Sequence, residues 1–268
     1  SVALGVKPRG LTPSPPLRSS IYIERQRERI GVSRSKSSER AGSRKEGRKG
    51  GREVEMAPIK LYGMMLSPNV TRVATLLNEL GLDFDFVDVD LRTGAHKQPD
   101  FLKLNPFGQI PALQDGEEVV FESRAINRYI ATKYGAALLP TPSAKLEAWL
   151  EVESHHFYPP ARTLVYELLI KPMLGAPTDA AEVDKNAADL AKLLDVYEAH
   201  LAAGNKYLAG DAFTLADANH MSYLFMLTKS PKADLVASRP HVKAWWEEIS
   251  ARPAWAKTVA SIPLPPGV

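Results

Sequence analysis

The sequence predicts a small mixed α/β domain followed by an all-helical domain, and three observations carry that expectation. Between residues 59 and 134 short apolar runs alternate with helical periodicity in the order βαβαββα. Beyond residue 142 every apolar stripe recurs at helical spacing, with polar residues on the opposite face. Between them, residues 136–142 read AALLPTP, a linker bracketed by Pro140 and Pro142. The predicted units are therefore 56–135, the linker 136–142, and 143–268, preceded by a leader, 1–55.

IKLYG (59–63) predicts a strand, and residues 67–80 place Val70, Val73, Ala74, Leu77 and Leu80 on one helical face, stopped by Gly81. DFDFVDVDL (83–91) alternates imperfectly and reads as a second strand, and residues 96–106 hold a short helical turn. IPALQ, the Asp115-Gly116 turn and EEVVFE predict a hairpin, followed by a helix from Ser123 to Tyr134. Further helices are predicted over 145–157, 162–170, 178–202, 214–227 and 241–251. Thr214 and Asp217 have the spacing of a capping box, and Arg252-Pro253 ends the last long helix.

Composition removes several function classes. A chain of 268 residues with 44% hydrophobic content has room for a sizeable core. It has no apolar run approaching the roughly 20 residues of a membrane span, so it reads as a soluble chain. Cysteine is absent, which excludes disulfides, thiolate metal sites and a nucleophilic cysteine of the protein's own. Any thiol chemistry must borrow its thiol.

The net charge of +3 is unevenly spread: residues 1–55 carry 14 Lys or Arg against 6 Glu, and the remainder carries 20 against 25 acids. A basic tail can address nucleic acid or an anionic membrane surface. Here aromatic interleaving is limited to Tyr22 and no motif repeats, so neither partner is expected. The leader is rich in Ser, Arg, Gly and Pro and is expected to be disordered. A plastid transit peptide is an alternative that its six glutamates oppose. The favoured expectation is that Met56 is the start, since Met56-Ala57-Pro58 leads straight into the first strand.

The most informative stretch is 104–124, LNPFGQIPALQDGEEVVFESR. Pro111 cannot donate to a ladder and is tolerated only at an edge or bend, which leaves backbone free near Ile110 for an extended peptide. Glu122 and Ser123 open a helix whose first N–H groups suit a carboxylate. Farther upstream, Ser67 before Pro68 reads either as an ordinary N-cap with proline at N1 or as a hydroxyl set at a helix N-terminus for chemistry. His155 and His156 are adjacent, do not share a helix face and have no third ligand at metal spacing, so no metal is assigned. His220 beside Met221 reads as a packed core histidine.

The runs MAPIKLYG, SPNVTRVA, AHK (95–97), NPFGQIPALQDG, FESRAI, VYEAHL, KYLAGD and HVKAWW together resemble the glutathione transferases, and among them the plant phi class. They cover essentially all of residues 56–268. The resemblance implies a thioredoxin-like N-terminal domain, a helical C-terminal domain, a cytoplasmic homodimer, and conjugation of reduced glutathione to hydrophobic electrophiles, with glutathione as cosubstrate and no cofactor. It implies Ser67 as the residue that stabilises the glutathione thiolate. A free thiol titrates near 8.5, each unit of lowering needs about 1.4 kcal/mol, and one hydrogen bond to a charge contributes roughly 1.5–3 kcal/mol. The other implied roles are His96 and Lys97 for the glycyl carboxylate, Gln109 and the Ile110 backbone for the cysteinyl residue, Glu122 for the ammonium, and Ser123 for the γ-glutamyl carboxylate. Pro111 is implied to follow a cis peptide. The implied electrophile pocket is Leu66, Pro68, Leu91, Tyr166 and Ile170. Peroxidase activity toward organic hydroperoxides is compatible with the same thiolate. Two non-enzymatic alternatives are a carrier of flavonoids or hormones and a protein-interaction module; Ser67 with the full set of glutathione contacts favours the enzyme.

Overall fold

Ile59, Leu61 and Gly63 bury one face of the first strand while Lys60 and Tyr62 occupy the other, the period-2 pattern of a strand with layers on both sides. The computed structural model describes residues 58–140 and 143–263. The leader, Met56 and linker residues 141 and 142 lie outside the described residues. Strand β1 (Ile59–Gly63) pairs in parallel with β2 (Phe84–Asp88), Leu61 opposite Phe86. On its other side it pairs antiparallel with β3 (Ala112–Asp115), Leu61 opposite Leu113. β4 (Glu118–Phe121) closes the hairpin, giving the order β2-β1-β3-β4.

Two strand boundaries differ from the sequence reading. β2 stops at Asp88 rather than 91, because the Asp90 carboxylate accepts the Arg92 N–H at 2.9 Å and turns Leu91–Thr93 into a 3-10 turn. β3 starts only at Ala112, after the proline that lacks a donor.

Helix α1 (Pro68–Glu79) lays Val70, Val73, Ala74 and Leu77 on one face of the sheet. The approach is close: a Cβ at Gly63 would lie 2.5 Å from the Val70 side chain. The short helix α2 (Pro99–Leu104) covers the opposite face through Phe101, packed with Val89 and Ala112. α3 (Ser123–Tyr134) returns to the α1 side with Ile126 and Ile130 buried.

The second half is helical. α4 (Ala144–Val152), α5 (Tyr158–Val165) and α6 (Lys171–Met173) form one continuous run joined by two π segments, Glu153–Phe157 and Tyr166–Ile170. The helices expected over 145–157 and 162–170 are thus parts of one run that passes through Pro159 and Pro160. The wider π turn just before them absorbs the missing donors and the ring clash. α7 (Ala180–Ala202) starts on the Asp179 cap, and α8 (Leu215–Thr228) is buried along nearly its whole length. Asp217 anchors its start: its carboxylate accepts the Thr214 N–H at 2.9 Å, the Leu208 N–H at 3.0 Å and the Trp245 indole N–H at 3.0 Å. α9 (Asp234–Ala237) is too short to leave a periodic signal. α10 (Pro240–Ser250) ends where expected, yet Pro253 does not stop the helical domain; it occupies N1 of α11 (Pro253–Val259), which packs on α1. One hydrophobic core runs from Ile59 through both halves to Ile262. Among the described residues no helix is long and apolar enough to cross a membrane.

Candidate functional site

The turn after β1 delivers Ser67 to the N-terminus of α1. Its N–H donates to the Met64 carbonyl at 2.9 Å, and its carbonyl accepts from Val70 and Thr71 at 2.9 and 3.0 Å. Its side chain makes no cap hydrogen bond. Of the two roles open to this serine, capping is therefore not the one its hydroxyl performs. The group is half-buried at the end of a helix that presents roughly half a positive charge.

Gln109, Ile110, Pro111, Glu122 and Ser123 meet in one recess of about 70 Å³, with Asn69, Asn105, Arg124 and Tyr158 completing its walls. The Ile110–Pro111 peptide is cis. Glu122 has φ +67° and ψ 112°, a conformation that costs a non-glycine residue on the order of 1–3 kcal/mol. That turn starts α3, whose first residues Ser123 and Arg124 line the recess; the first helical bond is Ile126 N–H to the Glu122 carbonyl at 2.8 Å.

His96 and Lys97 do not line this recess but are tied to the loop that does. The Lys97 ammonium donates to the carbonyls of Phe107 and Gly108 at 3.0 and 2.9 Å. Gly108, at φ +57°, lies so near that a Cβ there would stand 2.7 Å from the His96 carbonyl oxygen. Asn105 holds the loop from inside, donating to the Gln109 carbonyl at 2.7 Å and accepting the Phe107 N–H at 3.0 Å. His96 Nδ1 is buried without a partner.

Behind Ser123 stands a buried charge cluster that the sequence reading missed. Arg72, fully buried on α1, donates from Nη1 to Ser123 Oγ at 2.9 Å, from Nη2 to Glu153 Oε1 at 3.0 Å and from Nε to the Asn219 carbonyl at 3.0 Å. Arg124 donates to the same Glu153 carboxylate at 2.6 and 2.9 Å and stacks on the Tyr158 ring at 4.2 Å. Burial drives the Glu153 carboxyl up, but Arg72 and Arg124 outweigh it and hold the group below the usual range. Burial lowers Arg72, with Glu153 opposing. An arginine stays protonated in proteins, so both partners are charged. The only sequence signal for the cluster was the pair of ionisable residues, Arg72 and Glu153, sitting on otherwise apolar helix faces.

The five electrophile candidates are less tightly gathered. Leu66 is half-buried beside Ser67, while Pro68 is buried under the first turn of α1. Leu91 is half-buried in the 3-10 turn, and the second π segment carries Tyr166, 47% exposed, and half-buried Ile170. A separate apolar recess of about 410 Å³, lined by Met64, Met65, Phe84, Phe86, Asp88, Ser261 and Pro263, includes none of the five. Among the described residues no group of three or more His, Asp or Glu could hold a metal. His155 pairs with Glu151 at 3.0 Å, and His220 is fully buried, bonded to Tyr197 Oη at 2.9 Å and the Ala216 carbonyl at 2.7 Å.

Comparison with known proteins bears on both halves. Residues 57–132 match the glutathione S-transferase N-terminal domain family and residues 157–253 the C-terminal domain family. The chain is 70% identical over 218 residues to glutathione S-transferase 3 of Zea mays, covering 79% of this chain and 97% of the relative. Among solved structures it is similar to glutathione transferase F7 from Populus trichocarpa, with 46% identity, a TM-score of 0.74, and coverage of 77% of this chain and 100% of that one. It is also similar to glutathione S-transferase I from mais in complex with an atrazine glutathione conjugate, with 45% identity, a TM-score of 0.73, and coverage of 77% and 98%.

Proposed function

The chain belongs to the glutathione S-transferase family, in its plant phi class, and is a glutathione transferase; on that premise we propose that Ser67 activates the glutathione thiol and that the recess around Ser123 holds the γ-glutamyl end. The observation that carries this reading is the Ser67 hydroxyl, which makes no cap hydrogen bond at a helix N-terminus. A thiolate placed there would receive a hydrogen bond worth roughly 1.5–3 kcal/mol, enough to lower its pKa by one to two units. The thiolate, its proton released to solvent, then attacks an electrophilic carbon: a C–S bond forms, and the leaving group departs with its electron pair.

The rest of glutathione follows from chemistry at each position. The α3 N-terminus and Ser123 suit the γ-glutamyl carboxylate, and Glu122 suits the adjacent ammonium. Ile110, next to a residue with no N–H, offers backbone to the cysteinyl unit, with Gln109 beside it. Lys97 and His96 are assigned to the glycyl carboxylate, Lys97 with one ammonium donor left after its two loop bonds. Leu66, Leu91, Tyr166 and Ile170 supply apolar surface for a hydrophobic xenobiotic electrophile, with Pro68 contributing little because it is buried. The maize relative solved with an atrazine conjugate supports that substrate class.

A homodimer is part of the same proposal, and the surface of the first half supports it. Phe107 is 64% exposed and packs edge-on to Phe121 at 6.0 Å, with Leu102 and Val119 also exposed, an apolar face suited to a second copy. A cytosolic location accords with the plant family.

Replacing Ser67 with alanine tests the mechanism. Conjugation of a chloronitrobenzene should lose about ten- to a hundredfold in kcat/KM, the loss expected for one hydrogen bond to a charge. The pKa of enzyme-bound glutathione, read from thiolate absorbance, should rise by one to two units. Unchanged values of both would overturn the role given to Ser67.

A further inference from the structure

Arg72 has no part in the contacts assigned above, yet it touches one of them. Its guanidinium serves four acceptors: the Asn219 carbonyl, Asn69 Oδ1 at 3.4 Å, Glu153 Oε1 and Ser123 Oγ. Arginine can only donate, whereas a serine hydroxyl has one proton and two lone pairs. The 2.9 Å bond from Nη1 therefore makes Ser123 Oγ an acceptor on its buried side. No acceptor among the described residues takes the Ser123 proton, which leaves the recess as its direction.

We infer that Arg72 is a positioning residue that fixes the Ser123 hydroxyl as a donor to the recess, so that the site selects peptides bearing a free α-carboxylate on the γ-glutamyl unit. The inference rests on the placement of that unit at Ser123. A free serine rotor is ambivalent: it can donate to a carboxylate or accept from an ammonium, and glutathione carries both on the same carbon. With one lone pair held by a cation, the O–H is polarised outward and the ammonium is turned toward Glu122. The direction of Nη1 is itself fixed, because Nε is anchored on α8 and Nη2 on the π segment after α4. A buried ion pair with Glu153 would not by itself require the third arm to reach Ser123.

The test compares two peptides and four proteins. Glutathione and 4-aminobutyryl-cysteinylglycine differ only in the α-carboxylate. Wild type should prefer glutathione in kcat/KM by about tenfold or more, the scale of a hydrogen bond to a charged group. Ser123→Ala should compress that preference severalfold, mainly through the KM of the peptide. Arg72→Lys keeps a cation opposite Glu153 but replaces a fork serving four acceptors with a single ammonium. It should compress the preference by a similar factor, and the double variant should compress it no further than either alone. Arg72→Gln, uncharged but still a donor, is the second variant should the lysine fail to fold. If the Arg72 variants slow both peptides equally while Ser123→Ala compresses the preference, Arg72 is merely structural and the inference falls. If Ser123→Ala leaves the preference intact, the placement of the γ-glutamyl group is wrong, and the inference falls with it.

Discussion

Ser67 and Ser123 are the same residue type, each at the N-terminus of a helix on the same side of one sheet, and their surroundings differ completely. Ser67 has a hydroxyl with no cap hydrogen bond, half-buried at the helix end. Ser123 is buried, and its hydroxyl is gripped by Arg72, which is in turn fixed by Glu153 and the α8 backbone. The difference matches the two tasks proposed for them. A group that must follow a thiol from neutral to ionised, and then to a thioether, gains from freedom. A group that must recognise one unchanging carboxylate gains from being held.

The largest effect that would break this contrast lies behind Ser123. Glu153 is fully buried and is the shared acceptor of Arg72 and Arg124. Glu153→Ala leaves two guanidiniums facing an empty space in the interior, and removing one partner of a buried pair typically costs about 3–5 kcal/mol. Urea unfolding should show that loss in midpoint, with affinity for glutathione weakened in whatever folded fraction remains. A loss under about 1 kcal/mol would mean that the cluster is loosely built and that Ser123 is no better held than Ser67.

Next in size is a pH effect from the same interior. His220 lies with its ring 4.5 Å from Phe157, and burial lowers its pKa to about 4, with Glu153 pulling the other way. An unfolded histidine takes up its proton near 6.5; the folded one refuses it until about pH 4. The unfolded state thus binds more protons across that window, and stability falls as the pH drops from about 6.5 to 4, by roughly 3 kcal/mol in all. Glu153 acts from the foot of that window downward: its lowered pKa contributes stability that is present above its ordinary 4.5 and lost as the pH falls further. His220→Gln should flatten the slope between pH 6.5 and 4.5 whatever its own stability. A slope identical to wild type would show that His220 is not the group responsible.

The two regions were also unequally legible. The set proposed to hold the peptide, Gln109, Ile110, Glu122 and Ser123, sits within fifteen residues of chain and carries its own punctuation: a proline after the turn, a helix start after the strand. Local rules suffice for such a segment, and α3 came out with the bounds expected, Ser123–Tyr134. Arg72, Glu153 and Asn219 are brought together from three helices, and no local spacing announces a contact across 81 or 147 residues. The run from α4 to α6, expected as two helices, is continuous for a related reason. Two prolines in sequence look like a break, and only the π segment ahead of them, a property of the folded backbone, lets the helix pass through. α11 was lost because the same residue type that ends one helix is the preferred first residue of the next.

The smallest effect separates the two serines most sharply, because it is an expected absence of loss. Replacing a serine that caps a helix by alanine ordinarily costs about 1 kcal/mol. Ser67 occupies the N-cap position, but its hydroxyl bonds to no helix N–H, and the bonds that start α1 come from its backbone carbonyl, which alanine retains. Ser67→Ala should therefore unfold within about 0.5 kcal/mol of wild type, while conjugation falls by the much larger factor expected of a lost hydrogen bond to the thiolate. Urea midpoints of the apo proteins measure the first quantity and steady-state rates the second. If the variant instead loses a full capping energy, the hydroxyl is spent on the helix in solution, and the freedom that distinguishes Ser67 from Ser123 disappears. If stability holds and the rate falls, the hydroxyl is a group kept out of the fold's own hydrogen bonding for use on the thiol.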